Sequence, residues 1–236
     1  MARDLKLRLR DRVDIEIDLR FDPHDPPYEP GITDQCRALA VLKAGADVLD
    51  GLSVPYNLAD GTVLGWLRGG GFIEGDTDID LQVDLENYRP ELKLNLLEAG
   101  FVLLREEHIE GDLQHQQFMR DRIKLDIAYY RKRGRSFRIL CPFRQAFLVY
   151  RLEPFEVKSV DFMGYEMPVP ADPVAYVVEC YGEDWRVPVT EWHWAFCVST
   201  LKAAVGTAGA LKAIAGEWID WQQKYNGRTK PSVTAR

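Results

Sequence analysis

The sequence predicts an α+β protein, a mixed β-sheet flanked by helices, with an N-terminal β segment and a helical C-terminal part. Three observations carry that expectation. Apolar residues alternate with polar ones through the N-terminal and central segments, the pattern of half-buried strands. Apolar residues at steps of three and four interrupt the strands around residues 36–49 and dominate after residue 172, the pattern of helices. The 236 residues, 46% hydrophobic and 28% charged, are enough for one sizeable core with appendages.

From Leu5 to Phe21, Leu5, Leu7, Leu9, Val13, Ile15, Ile17 and Leu19 alternate with mostly charged residues, so this stretch reads as strand or hairpin. FDPHDPPYEPG (21–31) ends it as a linker, since proline cannot donate to a ladder. Cys36, Leu39, Leu42, Ala46 and Leu49 have helical spacing, and Gly51 is a stop signal. A short strand is expected at 54–60, a strand at 78–84 (DIDLQVD), a helix at 89–100, and strands at 101–105, 113–120, 123–130 and 136–140. FEVKSV and YEMPVP read as further strands or loops. Helices are expected in DPVAYVVECYG, where Asp172 and Pro173 form a good opening, in EWHWAFCVSTLKAAV (191–205) and in ALKAIAGEWIDWQQKY, with a frayed tail after them. This divides the chain into 1–30, a β segment and linker; 31–190, the core; and 191–236, a helical part.

The net charge of −7 argues against a protein that wraps nucleic acid, which needs a basic surplus. Cys36, Cys141, Cys180 and Cys197 are scattered and form no CxxC pattern, which fits a reducing cytoplasm. MARDLKLRLR carries charge where a signal peptide needs an apolar core, and no run approaches the roughly 20 apolar residues of a membrane helix, so no integral segment is expected.

The chemistry concentrates in acidic residues on the predicted central strands. Asp78 and Asp80, two apart in a strand, project from one face with Cα atoms roughly 6 to 7 Å apart. Such a pair can converge on one hard cation; magnesium takes oxygen ligands at about 2.1 Å and commonly only one or two protein carboxylates. Asp76 joins the same face if the strand starts there, although Gly75 suits a loop equally well. Asp126 interrupts the apolar strand KLDIAYY, where an unpaired charge is costly, so a metal or a proton-transfer role would explain it. The plain alternatives are that Asp78, Asp80 and Asp84 form the wet face of an amphipathic strand, and that Asp126 pairs with Lys124 or Arg122. Gly61, Thr62 and Gly65, on a strand-to-helix turn just upstream, can offer backbone N–H groups to phosphate oxygens, and Arg68 can add a bidentate fork. The run RKRGRSFR (131–138) reads as a solvated hairpin, and His115 and His193, isolated from any second metal-ligand pattern, default to packing or surface roles. Trp185, Trp192, Trp194, Trp218 and Trp221 can stack on a base or sugar, but helix packing is their ordinary use.

The run YNLADGTVLGWLRGGGFIEGDTDIDLQV (56–83) resembles the signature of the LicD family, which includes phosphocholine transferases and fukutin-related proteins, through Gly61, Thr62, Leu64, Gly65, Arg68, Asp76, Asp78 and Asp80. VPADPVAYVVECYGEDWRVP resembles a second family signature through Tyr181, Gly182, Trp185 and Pro188. Glu74 and Gly75 stand where the family commonly has proline and tryptophan, and Gly69 replaces a common histidine. The resemblance, over roughly 31–190, implies a nucleotidyltransferase fold with Mg2+ (or Mn2+ in its place) on Asp78 and Asp80, with Asp76 as a third candidate; Asp126, read from its place in an apolar strand, is the candidate to complete the metal site or take the proton from the attacking hydroxyl. Gly61, Thr62, Gly65 and Arg68 are the implied donor-binding residues. It further implies transfer of a phosphorylated small molecule, such as phosphocholine or an alditol phosphate, from a CDP-linked donor to a sugar hydroxyl of a cell-surface glycan such as capsule or teichoic acid. A lipid-linked acceptor would bring the enzyme to the inner face of the membrane without spanning it. True nucleotidyl transfer, moving NMP to a small molecule or protein, uses the same carboxylates, and a non-catalytic binding module would keep the fold alone. The N-terminal alternating segment matches nothing in the family core and can serve as an edge hairpin or dimer contact.

Overall fold

Along residues 78–84 and 124–127 apolar residues alternate with polar ones because one face packs into the apolar core and the other carries Asp78, Asp80, Gln82 and Asp126. The computed structural model describes residues 5–189, 193–196 and 200–226. Trp192, Cys197 and the tail after residue 226 lie outside them.

The chain begins with β1 (Lys6–Leu9) and β2 (Ile15–Leu19), then α1 (Gln35–Gly51), β3 (Tyr56–Leu58), α2 (Asp60–Gly69) and β4 (Asp78–Asp84). A single 3-10 turn leads to α3 (Glu91–Glu98), followed by β5 (Val102–Ile109), β6 (Asp112–Arg120), β7 (Ile123–Arg133), β8 (Ser136–Phe143) and β9 (Ala146–Leu152). A small hairpin of β10 (Val157–Phe162) and β11 (Tyr165–Pro170) precedes α4 (Pro173–Tyr181), β12 (Leu201–Gly206) and α5 (Ala208–Asn226). Local signals set several boundaries: Asp34 caps α1 by accepting from Arg37 N, and Asp172 caps α4 by accepting from Ala175 N with Pro173 in the first turn.

The main sheet has ten strands, running β1-β12-β9-β8-β7-β6-β5-β2, with β4 added in parallel to β7 and β3 antiparallel to β4. β7 is the hub. It pairs with β6 through its first part, with β8 through its last four residues, and with β4 from Lys124 to Tyr130. On one side of β4 and β7, α1 and α3 cover Ile79, Leu81, Val83, Leu125 and Ile127, all essentially inaccessible, with Gly45 of α1 directly over Leu125. On the other side lie α2 and α4, facing Asp78, Asp80, Gln82 and Asp126. Parallel neighbours in register point the same way, so Asp80 and Asp126, which are register partners, share that face.

Several expectations need correction. The 191–205 stretch contains a strand, β12, where helical spacing predicted a helix: Leu201, Ala203, Ala204 and Val205 fit a strand buried on both faces as well as they fit a helix, and its place between β1 and β9 decides the matter. The N-terminal strands do not form a hairpin. β1 runs parallel to β12 at one end of the sheet and β2 antiparallel to β5 at the other. Residues 10–14 connect these two edges, with an Arg10–Glu110 ion pair at the join and a separate small core of Ile109, Phe147, Val149, Ala203 and Val205 beneath. β9 lies outside the expected strands, because AFLVYRL, buried at every position but Arg151, lacks alternation. The proline-rich 21–31 stretch is packed rather than loose: Phe21 meets Tyr28 edge to face, Glu29 pairs with Arg37, and Ile32 exchanges backbone hydrogen bonds with Gly75 and Asp76.

Candidate active site

The site forms where the N-terminus of α2 meets the start of β4. β4 begins at Asp78, so Asp76 lies in the preceding loop, held by the donation of Ile32 N to its carbonyl. Its carboxylate nevertheless reaches the strand pair. A Cβ built on Gly61 would sit 2.6 Å from Asp76 Oδ2 and 3.0 Å from Asp80 Oδ2, so both carboxylates crowd one point that only glycine leaves open. Thr62 fastens helix to strand: its N–H donates to Asp80 Oδ2 at 3.2 Å, and its Oγ1 accepts from Asp80 N at 2.8 Å. Gly65 has a different use. A Cβ there would lie 2.6 Å from Gly71 O and 2.8 Å from Ile73 N, so it lets the second turn of α2 press on the 71–73 backbone.

Burial and mutual repulsion dominate the electrostatics. Asp80 is pushed well above the ordinary carboxylate range by burial, then by Asp78, Asp60, Asp76 and Asp126. Asp78 is raised to about 7 by burial and by Asp126, against the pull of Lys124, whose ammonium lies 3.4 Å away. Asp76 is raised by burial as well. Asp126 behaves oppositely. Burial pushes it up, but His115, Lys124 and Gln117 outweigh that and hold it below the usual range. It is therefore the carboxylate of this group whose ionised form its surroundings favour.

The wet-face reading of β4 does not hold, since Gln82 and Asp84 are buried. Lys124 pairs with Asp78 rather than with Asp126. The partner of Asp126 is His115, whose Nε2 lies 3.2 Å from Asp126 Oδ2, with Gln117 Nε2 at 3.2 Å from the same oxygen. Behind His115, Glu107 is 3.9 Å from its Nδ1 and is itself paired with Arg105. Burial lowers the His115 pKa, but the adjoining Asp126 and Glu107 reverse the effect and raise it. Asp126 Oδ1, by contrast, is buried with no hydrogen-bond partner.

Sequence reasoning missed four further residues here. Asp60, at φ 35°, accepts from Tyr176 OH at 3.1 Å and from Gln82 Nε2 at 3.4 Å, and Tyr176 OH in turn accepts from Asp60 N. The fourth is His115. Its signal was present but unreadable alone: His115 and Gln117 are two apart in β6, and Gln117 is the register partner of Asp126. Arg68 is on α2 as expected, but its guanidinium donates to the carbonyls of Trp185 (2.8 Å from Nε) and Val187, tying the two sequence signatures together. Trp185 is buried, with Arg186 over its ring at 4.1 Å, so it packs rather than presenting an open stacking face. Trp218 and Trp221 stack with one another beside Phe196.

The donor set suits a hard divalent cation. Asp76 and Asp80 meet at one point, Asp126 offers an orphaned buried oxygen, and the raised acids are what an excess of carboxylates shows without a compensating charge. Among the described residues no three acidic, histidine or cysteine side chains already converge to ligate an ion, but magnesium commonly needs only one or two from the protein.

Residues 53–172 match the family model for the LicD/FKTN/FKRP nucleotidyltransferase domain. Mouse ribitol-5-phosphate transferase FKTN is 28% identical over 172 residues, 67% of this chain and 35% of that protein; the human protein is 27% identical over 171 residues, 66% and 35%. The chain thus spans about a third of the length of the curated relatives it matches. Among solved structures, the lincomycin-bound lincosamide antibiotic adenylyltransferase LnuA aligns at 15% identity over 61% of this chain and 84% of that one, TM-score 0.42. The solution structure of ANT(2'')-Ia aligns at 13% identity over 82% and 96%, TM-score 0.43.

Proposed function

Since the chain belongs to the LicD/FKTN/FKRP nucleotidyltransferase-domain family, we propose that it is a magnesium-dependent phosphotransferase acting on a glycan. In this reading it moves a phosphorylated small molecule, of the phosphocholine or alditol phosphate type, from a CDP-linked donor to a sugar hydroxyl. The observation that carries the reading is the carboxylate face: Asp80 and Asp126 in register across the parallel β4–β7 pair, with Asp76 and Asp80 meeting beside Gly61. Ribitol 5-phosphate, named for the FKTN relatives, is the first cargo to test.

Asp76, Asp78 and Asp80, with Asp126, would hold the magnesium, which neutralises phosphoryl charge and orients the donor when bound. The protein's own part is positioning. Thr62 fixes Asp80 against α2, and Gly61 keeps the space before the carboxylates clear. His115 and Gln117 occupy one oxygen of Asp126 and leave the other without a hydrogen-bond partner. A carboxylate whose ionised form is favoured is a weak base and a good cation ligand, which favours the ligand role for Asp126. Arg68 acts on the site by holding the 185–187 segment against α2.

The test is a thermal-shift panel of CDP-ribitol, CDP-glycerol, CDP-choline and CTP, each with and without magnesium, followed by product analysis. Ligand at about 100 times its dissociation constant stabilises the fold by ~2.7 kcal/mol. A magnesium-dependent shift with one CDP-alcohol, and CMP released with the phosphorylated group on a sugar, is the expected result. A product carrying the nucleotide would replace this reading with nucleotidyl transfer, and magnesium binding without turnover would replace it with a binding module.

A further inference from the structure

The basic hairpin between β7 and β8 gains a meaning that its sequence alone lacked. Arg131 of β7 is the register partner of Arg138 of β8, and Arg138 is the register partner of Arg151 of β9. Directly opposed residues on neighbouring antiparallel strands share a face with Cβ atoms about 5 Å apart, and like charges so placed destabilise the sheet. Three guanidinium groups therefore stand in one row, and Arg8 and Arg133 are near enough to act on Arg138 as well.

The row is short of acceptors. Arg131 pairs with Asp112 at 2.7 Å, but among the described residues neither Arg138 nor Arg151 has an acidic partner. The Nε atoms of Arg131, Arg138 and Arg151 are all buried without an acceptor. Burial and then the neighbouring Arg151, Arg133 and Arg8 lower the Arg138 pKa, as expected where cations repel. An acidic protein of net charge −7 that lines up three half-buried arginines with one carboxylate among them stores repulsion there that an anion would relieve. Arginine in place of lysine specifies the anion further, because the planar fork matches tetrahedral oxyanions in a bidentate way.

Arg131 lies five residues beyond Asp126 on the same uninterrupted strand, so its side chain leaves β7 on the opposite face from the carboxylates. We propose that the Arg131–Arg138–Arg151 row is a phosphate-binding site, separate from the candidate active site, that holds a ligand carrying linked phosphate groups. It does not depend on the phosphotransfer reading, and it needs no metal.

The probe is inorganic tripolyphosphate, titrated calorimetrically into the protein in EDTA at moderate ionic strength. The expected result is saturable binding near one per chain, weakened at least about tenfold by Arg138→Gln with Arg151→Gln and retained in Asp78→Asn, with the thermal midpoint of the free variants checking the fold. Where the double variant unfolds, Arg138→Gln alone carries the comparison. The proposal is overturned if the arginine variants bind equally well, or if binding requires magnesium and disappears in Asp78→Asn. Retention on vesicles of phosphatidylserine and phosphatidylcholine without saturable tripolyphosphate binding would also overturn it, showing a membrane-facing patch in place of a discrete site.

Discussion

Replacing Asp78 by asparagine should make the metal-free protein more stable while removing its activity. Burial, then Asp126, holds the Asp78 carboxyl at about 7, against 3.8 in the unfolded chain. Keeping it ionised near neutral pH therefore costs on the order of 4 kcal/mol. Asparagine removes the charge but keeps a polar side chain that must still be desolvated, so part of that cost remains. The substitution also takes a partner from Lys124, which keeps the field of Asp126 and the ring of Tyr28 at 4.7 Å. A net gain of about 1–2 kcal/mol is expected, or roughly 2–8 °C in Tm for a chain of this size. The pH dependence has a definite sign. The folded value lies above the unfolded one, so the penalty is fully present above about pH 7, shrinks as the pH falls, and vanishes below 3.8. Wild type in EDTA should accordingly gain stability from about pH 8 to about pH 5, and the advantage of Asp78→Asn should narrow over the same range. Magnesium should stabilise wild type more than the variant. Thermal unfolding followed by circular dichroism, with and without magnesium, measures all three effects. A variant less stable than wild type in EDTA at high pH, together with a wild-type midpoint that does not respond to pH, would refute the repulsion argument.

His115→Gln should lower magnesium affinity and turnover by about 10–100-fold with little change in donor KM, because the residue acts through Asp126; a donor KM change alone would place it elsewhere. Gly61→Ala drives a methyl group into Asp76 and Asp80 and should abolish magnesium-dependent stabilisation, which a magnesium titration of the thermal midpoint reads directly. Glu106, on the far side of the sheet, is raised by burial but held below its ordinary range by Gln116 and Lys93. Its contribution is present above about 4.5 and lost as the pH falls through the depressed folded value, so Glu106→Gln should cost about 1–3 kcal/mol near neutral pH and progressively less in acid. Urea midpoints at two pH values test this, and an unchanged difference between them would contradict it.

The chain's local signals reached unevenly into this structure. DIDLQVD was legible to the residue as a strand, because alternating aspartates and aliphatics admit one arrangement: apolar side under α1 and α3, polar side toward α2. Asp172, followed by Pro173, marked a helix start in the same direct way. Segments buried on both faces carried no such mark. AFLVYRL and 201–206 are mostly apolar runs, and such runs fit the strand and helix periods equally well.

By itself, then, the sequence determined that acidic side chains would share one strand face, that glycines would crowd a helix start beside them, and that basic residues would gather at one hairpin. Those are properties of spacing within a few residues, and backbone geometry converts them directly into direction. Only the tertiary structure decided the partners. It placed His115 on Asp126 and Lys124 on Asp78, gave Arg68 to the carbonyls of Trp185 and Val187, and aligned Arg131 with Arg138 and Arg151. Each of those pairings follows from the register between strands or the docking of distant helices, which depends on how the whole core closes and on no local periodicity.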